Sequence, residues 1–360
     1  MDTFETIKLL TETLTVSGFE KQSAQKIIKI ARDCTGDFFD SAKVSPTGSV
    51  VLSHSCKKPG ARRFLLDAHI DTIGFAVSEL CGEGFVRVCP VGGIDVNILP
   101  ACEVLLYGKK TVRGFFTSVP PHLAADDKLP KISELLVDTG IPDSEINDII
   151  PVGTPVGFAS KTTRLLNGRI ASPSLDDKLC AAAILRAASM LCGIELCSTD
   201  VYVIFSVGEE KTSLGAKTAF ELTKPDAALV LDVNFADSAG TKPSECLKLG
   251  GGAGVSISST TSRRLTEFIQ STAKKHGLPC QFVVEITSTG TNATQLARQG
   301  HGVPTAVLSL PLRYMHTCSE TAALSDLEDC AKLLAAVISE YDKDNICVPV
   351  YIKKRGDGRE

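Results

Sequence analysis

Phe64-Leu65-Leu66-Asp67-Ala68-His69-Ile70-Asp71 is the stretch whose reading decides the fold. An apolar run of strand length ends on a histidine and an acid separated by one residue. The same pattern returns twice: Val203-Ile204-Phe205-Ser206-Val207 leads into Gly208-Glu209-Glu210, and Ala227-Ala228-Leu229-Val230-Leu231 leads into Asp232-Val233. Short apolar runs of this kind read as buried strands. In open α/β sheets ligands gather outside the carboxyl ends of the strands, so polar residues distant in sequence converge there. Leu175-Asp176-Asp177 and Tyr314-Met315-His316 complete a set of two imidazoles and several carboxylates. Such a set suits Zn²⁺, Co²⁺ or Mn²⁺.

Working outward, residues 3–16 and 20–34 carry apolar positions at helical spacing, separated by Ser17-Gly18. From about residue 72 to 164 the texture changes to short β-type runs such as Gly84-Phe85-Val86-Arg87-Val88 and Glu103-Val104-Leu105-Leu106-Tyr107, punctuated by glycine and proline. That is the texture of a small barrel or sandwich. From Asp176 onward helices and strands alternate, the rhythm of a largely parallel sheet between helices. The predicted fold class is α/β: a mostly parallel sheet sandwiched by helices, with an inserted small β-barrel or sandwich domain. Residues 1–71 and 165–346 are expected to form the discontinuous main domain, 72–164 the insertion, and 347–360 a C-terminal tail.

Composition narrows the functional classes. The 360 residues are 43% hydrophobic and 22% charged, an ordinary globular balance with room for two domains. No apolar run approaches the ~20 residues needed to span a bilayer, so no membrane is expected as a partner. Residues 1–20 carry acids among their apolar positions and lack the basic start of a signal peptide. The net charge of −4 is slight and the basic residues are scattered, with one cluster at Lys353-Lys354-Arg355, so no nucleic acid is expected either. The 13 cysteines are odd in number and form no Cys-x-x-Cys pair. They read as reduced thiols in a cytoplasmic protein.

Each candidate residue also has a plainer reading. His69 is a candidate ligand with Asp71 as acceptor for its imidazole, or a surface histidine beside a turn. Asp176 and Asp177 open a long apolar helix, where acids cap free N–H groups and complement the macrodipole. Glu209 and Glu210 emerge where a buried strand ends, so one can bind metal while the other serves as a base. Asp232 likewise follows an apolar strand, and a carboxylate there is more often functional than an orphan. His316 sits in a loop before the last long helix and is uninformative alone. Gly250-Gly251-Gly252-Ala253-Gly254 lacks the Lys-Ser/Thr ending of a phosphate loop and reads as a flexible rim of the crevice.

Taken in this order, the motifs resemble the M42 family of co-catalytic metallo-aminopeptidases, whose oligomers are called tetrahedral. The resemblance spans nearly the whole chain and rests also on Pro120-Pro121-His122-Leu123, Val152-Gly153-Thr154-Pro155 and Leu175-Asp176-Asp177-Lys178. It implies a zinc-peptidase domain with two divalent metal ions per subunit. His69 and Asp232 would hold one, Glu210 and His316 the other, and Asp176 would bridge them. Glu209 would be the general acid/base and Asp71 would orient His69. It further implies peptide substrates with a free N-terminus, an insertion that serves oligomerisation, and a homo-oligomer built from dimers, up to a dodecamer. The chain departs from the family pattern at Thr72, at Lys211-Thr212-Ser213, at Asn292 and at Cys318. Two alternatives stand beside this reading: an M20-like metal-dependent deacylase or carboxypeptidase, and a non-catalytic scaffold paralogue. M20-type chains insert their second domain later than the interval between Asp71 and Asp176.

Overall fold

A computed structural model describes residues 1–123, 131–285 and 289–343. The expected tail at 347–360 lies outside them. Among the described residues eight strands form the main sheet, in the spatial order Ser41–Val44, Val50–His54, Thr199–Ser206, Arg62–His69, Ala227–Phe235, Thr305–Leu312, Ala253–Ser258 and Cys280–Glu285. The four central strands run parallel. Antiparallel pairings enter at both flanks, through the hairpin of the first two strands and their junction with the third, and where Ala253–Ser258 meets Thr305–Leu312. The sheet is therefore mixed, with parallel pairing at four of its seven junctions. Parallel pairing holds through the four central strands and returns at the far edge between Ala253–Ser258 and Cys280–Glu285, and the hairpin turns tightly through Ser45, whose carbonyl accepts the Gly48 N–H at 3.0 Å.

Alternation along the central strands fills both faces. Phe64, Leu66 and Ala68 join one large core with Val201, Val203 and Phe205, under the helices Thr3–Thr11, Ala24–Thr35, Leu175–Leu191, Arg263–His276 and Leu324–Lys343. Leu65, Ile204, Ala228 and Val230 face the other way, against the helices Leu214–Thr223 and Ala293–Ala297. Burying each such aliphatic side chain stabilises the fold by about 1.5–3 kcal/mol, so these strands leave little freedom in register.

Between the strand ending at His69 and the helix starting at Leu175 lies a closed six-stranded barrel, with strands ordered Gly74–Gly82, Phe85–Val91, Leu136–Asp138, Thr111–Phe116, Glu103–Tyr107 and Pro155–Phe158. Its own core contains Phe75, Val86, Val104, Leu106, Phe116 and Val156. A second sheet, absent from the sequence reading, pairs Thr163–Arg164, Arg169–Ser172 and Glu320–Ala323. The glycine run is also not a flexible rim. Gly250 and Gly252 donate their N–H groups to the two carboxylate oxygens of Asp326, each at 2.8 Å, which anchors the run to the last helix. No helix among the described residues is long and apolar enough to cross a membrane.

Candidate metal centre

Register brings the polar residues together. Ser206 pairs with His69 across parallel strands, so Glu209 and Glu210 emerge beside the histidine. On its other side Val230 pairs with Asp67, and continuing that register by two residues sets Asp232 level with His69. Asp176 arrives from the opening of the helix Leu175–Leu191, and His316 from the loop after Thr305–Leu312. Asp176 and Asp177 do not cap that helix. Their backbones are non-helical and are joined by a cis peptide, and the Asp176 side chain points to the imidazoles.

The His69 Nε2 atom lies 3.0 Å from Asp176 Oδ1 and 4.0 Å from Asp232 Oδ1. The other oxygen of Asp176, Oδ2, lies 3.4 Å from His316 Nε2, which is also 3.4 Å from Glu210 Oε2. Two clusters result, His69–Asp176–Asp232 and Asp176–Glu210–His316, each offering three donor atoms within 4.8 Å of one another and sharing Asp176. The Nδ1 atom of His69 donates to the backbone carbonyl of Asp71 at 2.9 Å, which fixes the tautomer and leaves Nε2 for the cavity.

The Asp71 carboxylate does something the sequence did not suggest. It stands 3.6 Å from His69 Nδ1, beyond hydrogen-bond reach, and instead accepts the N–H groups of Glu209 and Glu210 at 2.9 and 3.1 Å. Three more acids brace the site: the sequence carried no signal for Glu320 or Glu20, and it offered Asp177 only as one of the pair that opens the helix. Glu320 accepts the N–H of His316 at 2.8 Å and that of Asp176 at 3.0 Å. Asp177 accepts the N–H of His69 at 3.2 Å, and Glu20 that of Gly208 at 3.0 Å. His316 and Tyr314 both adopt left-handed backbones, with φ of 63° and 59°, a costly state for residues other than glycine and one typical of functional loops. Asn292 donates from Nδ2 to Asp67 Oδ2 and Ser206 Oγ, each at 2.9 Å, so an amide there pairs with a buried acid beneath the site.

The electrostatics follow from crowding acids in a dry place. Burial pushes Glu209 up to about 7, with Glu210 and Asp71 adding repulsion. Burial likewise pushes Glu320 to about 8 and holds Asp232 well above the usual carboxylate range. Asp176 and Glu210 push His316 up to about 11. Burial disfavours charge on His69, yet Asp176 and Asp71 more than offset it and hold the imidazole well above its ordinary value.

His69, Asp176, Glu209, Glu210, Asp232 and His316 line an open cavity of about 420 Å³ with Val233, Asn234, Phe235, Glu285, Thr289, Thr291 and Met315. Asp176, Asp232, Glu209, Glu210 and Asp71 together outnumber the two imidazoles, and a buried excess of carboxylates is costly unless a cation compensates it. The donor set, imidazole nitrogens and carboxylate oxygens in two clusters that share Asp176, fits borderline divalent metal.

An α/β sheet carrying such a centre at its strand ends, with a barrel interposed, is the architecture of a metal-dependent peptide hydrolase. Residues 48–333 match the family described as M42 glutamyl aminopeptidase, and the chain belongs to the M42 family. It is 32% identical over 344 residues to the lysyl aminopeptidase of Pyrococcus furiosus, covering 94% of this chain and 97% of that one. Among solved structures, an aminopeptidase from the archaeon Desulfurococcus kamchatkensis superimposes with a TM-score of 0.87 at 30% identity, covering 97% of this chain and 98% of its own. The TET1 peptidase of Pyrococcus horikoshii, described as assembling into a tetrahedron or a large octahedral shell, gives a TM-score of 0.81 at 28% identity, covering 94% and 100%. The protein is thus a peptide hydrolase of the aminopeptidase kind, and family membership removes the M20 alternative.

Proposed function

We propose that the protein removes the first residue from peptides with a free N-terminus, using two divalent metal ions held in this cavity. The observation that carries the reading is the placement of Asp176, whose two oxygens face different imidazoles, His69 at 3.0 Å and His316 at 3.4 Å. His69, Asp176 and Asp232 would hold one ion, and Asp176, Glu210 and His316 the other. When bound, such ions supply Lewis acidity that polarises a carbonyl and makes water a stronger acid. Glu209 belongs to neither ligand cluster, so its carboxylate remains to take a proton from water and pass it to the departing amine nitrogen. Asp71 fixes the backbone that carries Glu209, and the Asp71 carbonyl keeps the His69 proton on Nδ1.

The test is release of amino acids from unblocked peptides and from the same peptides acetylated at the N-terminus, before and after chelation and with Zn²⁺, Co²⁺ or Mn²⁺ restored. Release from unblocked peptides alone, lost on chelation and recovered with metal, is expected. Turnover indifferent to chelation, or cleavage from the carboxyl end, would overturn the reading, and absence of any turnover by metal-loaded protein would favour the scaffold alternative.

We also propose that residues 72–164 act as an oligomerisation domain, with residues 1–71 and 165–346 as the catalytic unit. The barrel side exposes Phe115, Val119, Leu123 and Val152, at 49%, 66%, 70% and 60%, an apolar surface that a second copy would cover. A homo-oligomer built from dimers, up to a dodecamer, agrees with the shells described for the P. horikoshii relative. The described cysteines are all free thiols, which agrees with a cytoplasmic setting.

A further inference from the structure

One acid in the cavity takes no part in the metal chemistry. Glu285 ends the strand Cys280–Glu285 and lines the same cavity as His69, Asp176 and His316. Asn234 Nδ2 approaches its Oε1 at 3.4 Å, a long hydrogen bond. Its Oε2 is buried and has no hydrogen-bond partner among the described residues. Burial raises the carboxyl above its ordinary range, and the nearby Ser256 hydroxyl and the Asn234 amide act against that rise. A carboxylate that lines the cavity and accepts one long hydrogen bond from Asn234 keeps acceptor capacity for a ligand.

The surroundings are specific about which ligand. Val233, Phe235 and Met315 line the same cavity, and Phe235 is 58% exposed, an apolar surface for a long alkyl stem. No lysine or arginine occurs among the described lining residues. A first residue ending in a carboxylate would therefore meet Glu285 with no cation to answer it.

Resting on the aminopeptidase reading above, we propose that Glu285 is the specificity residue of the subsite for the first side chain, and that it selects lysine and arginine. The methylenes of such a side chain cover Phe235 and Met315, as long cationic side chains do elsewhere. The ammonium or guanidinium group then donates to the Glu285 carboxylate in a charge-assisted hydrogen bond. Leucine gains the apolar contact alone, and glutamate is repelled.

The experiment uses the full-length, metal-loaded protein and four chromogenic substrates, the p-nitroanilides of lysine, arginine, leucine and glutamate. Expected kcat/KM is about 10- to 100-fold higher for lysine and arginine than for leucine, the range of a hydrogen bond to a charged group, with glutamate slowest. Glu285→Gln should erase most of that advantage and leave leucine within roughly threefold; Glu285→Lys should raise glutamate above lysine. A parent protein that prefers leucine or glutamate overturns the proposal without recourse to any variant. An equal loss on all four substrates in Glu285→Gln also overturns it, because Glu285 would then serve the common α-amino group or the fold. Release from none of the four would instead overturn the aminopeptidase reading beneath it, and the two failures are distinguishable.

Discussion

Asp71 holds Glu209 by the backbone: its Oδ1 accepts the Glu209 N–H at 2.9 Å while its Oδ2 takes the next N–H along. The acid that follows one strand thereby braces the turn that follows its neighbour. The side chain of Glu209 is left free to face the cavity because its main chain is held from behind.

Glu209 and Glu210 should separate chemistry from metal retention. Glu209→Gln is nearly isosteric and removes basicity, so turnover should fall about 10²–10⁴-fold with metal content unchanged. Glu210→Gln replaces a carboxylate donor by a weaker amide and should lower metal occupancy. Elemental analysis beside peptide hydrolysis tests the pair. Metal loss in the first variant and retention in the second would reverse the two roles.

Glu320 does not itself line the cavity, yet it accepts the N–H groups of two candidate ligands. Glu320→Gln keeps the shape but turns one acceptor into a donor facing an N–H. Metal affinity should drop about 10- to 100-fold, as when other supporting partners of ligands are removed. A competitive chelator titration reads this, with circular dichroism as the control for folding.

Metal uptake should release protons. In the metal-free site His316 stays protonated up to about 11 and His69 also lies well above its ordinary value, so both imidazoles carry charge at neutral pH. Ligation requires them neutral, so apparent affinity should rise with pH, by roughly tenfold per unit for each proton displaced. Calorimetry in buffers of different ionisation enthalpy counts the protons, and a count of zero would contradict protonated imidazoles in the metal-free site.

Glu20 should make stability depend on pH. Burial raises its pKa from 4.5 to about 7, with Asp71 adding repulsion. Between those values the folded chain keeps a proton that the unfolded chain has lost, so its stabilising contribution is full below pH 4.5 and is lost as pH rises through about 7. Glu20→Gln retains an acceptor for the Gly208 N–H without the charge. At pH 8 the variant should be more stable than the parent by up to about 3 kcal/mol, and near pH 4 the gap should close. An equal melting difference at both pH values would contradict this.

What the sequence made legible was what repeats locally. Apolar strands ending in His69, Glu209 and Asp232 carry their own signal, because burial on both faces enforces unbroken hydrophobic runs. The barrel was visible through its punctuation by glycine and proline, and it proved closed. What stayed hidden depends on pairing between distant segments. Glu320 has no local signature, since its role exists only once Ser172 pairs with it across the small sheet. Asp71 looked like a partner for the nearby imidazole because a single residue separates the two in sequence. Only the fold reveals that two N–H groups from another strand end reach its carboxylate first.

The small sheet also sets where the barrel is separable. Ser172 lies four positions before Asp176, and its partner Glu320 lies four after His316, so this one ladder carries both arms of the metal centre. A chimera that exchanges the barrel for a foreign module therefore tolerates a splice only upstream of it, in the 159–162 connection after Pro155–Phe158. A splice made a few residues later, although still far from the cavity in sequence terms, would sever the hinge-pin on which both ligands hang.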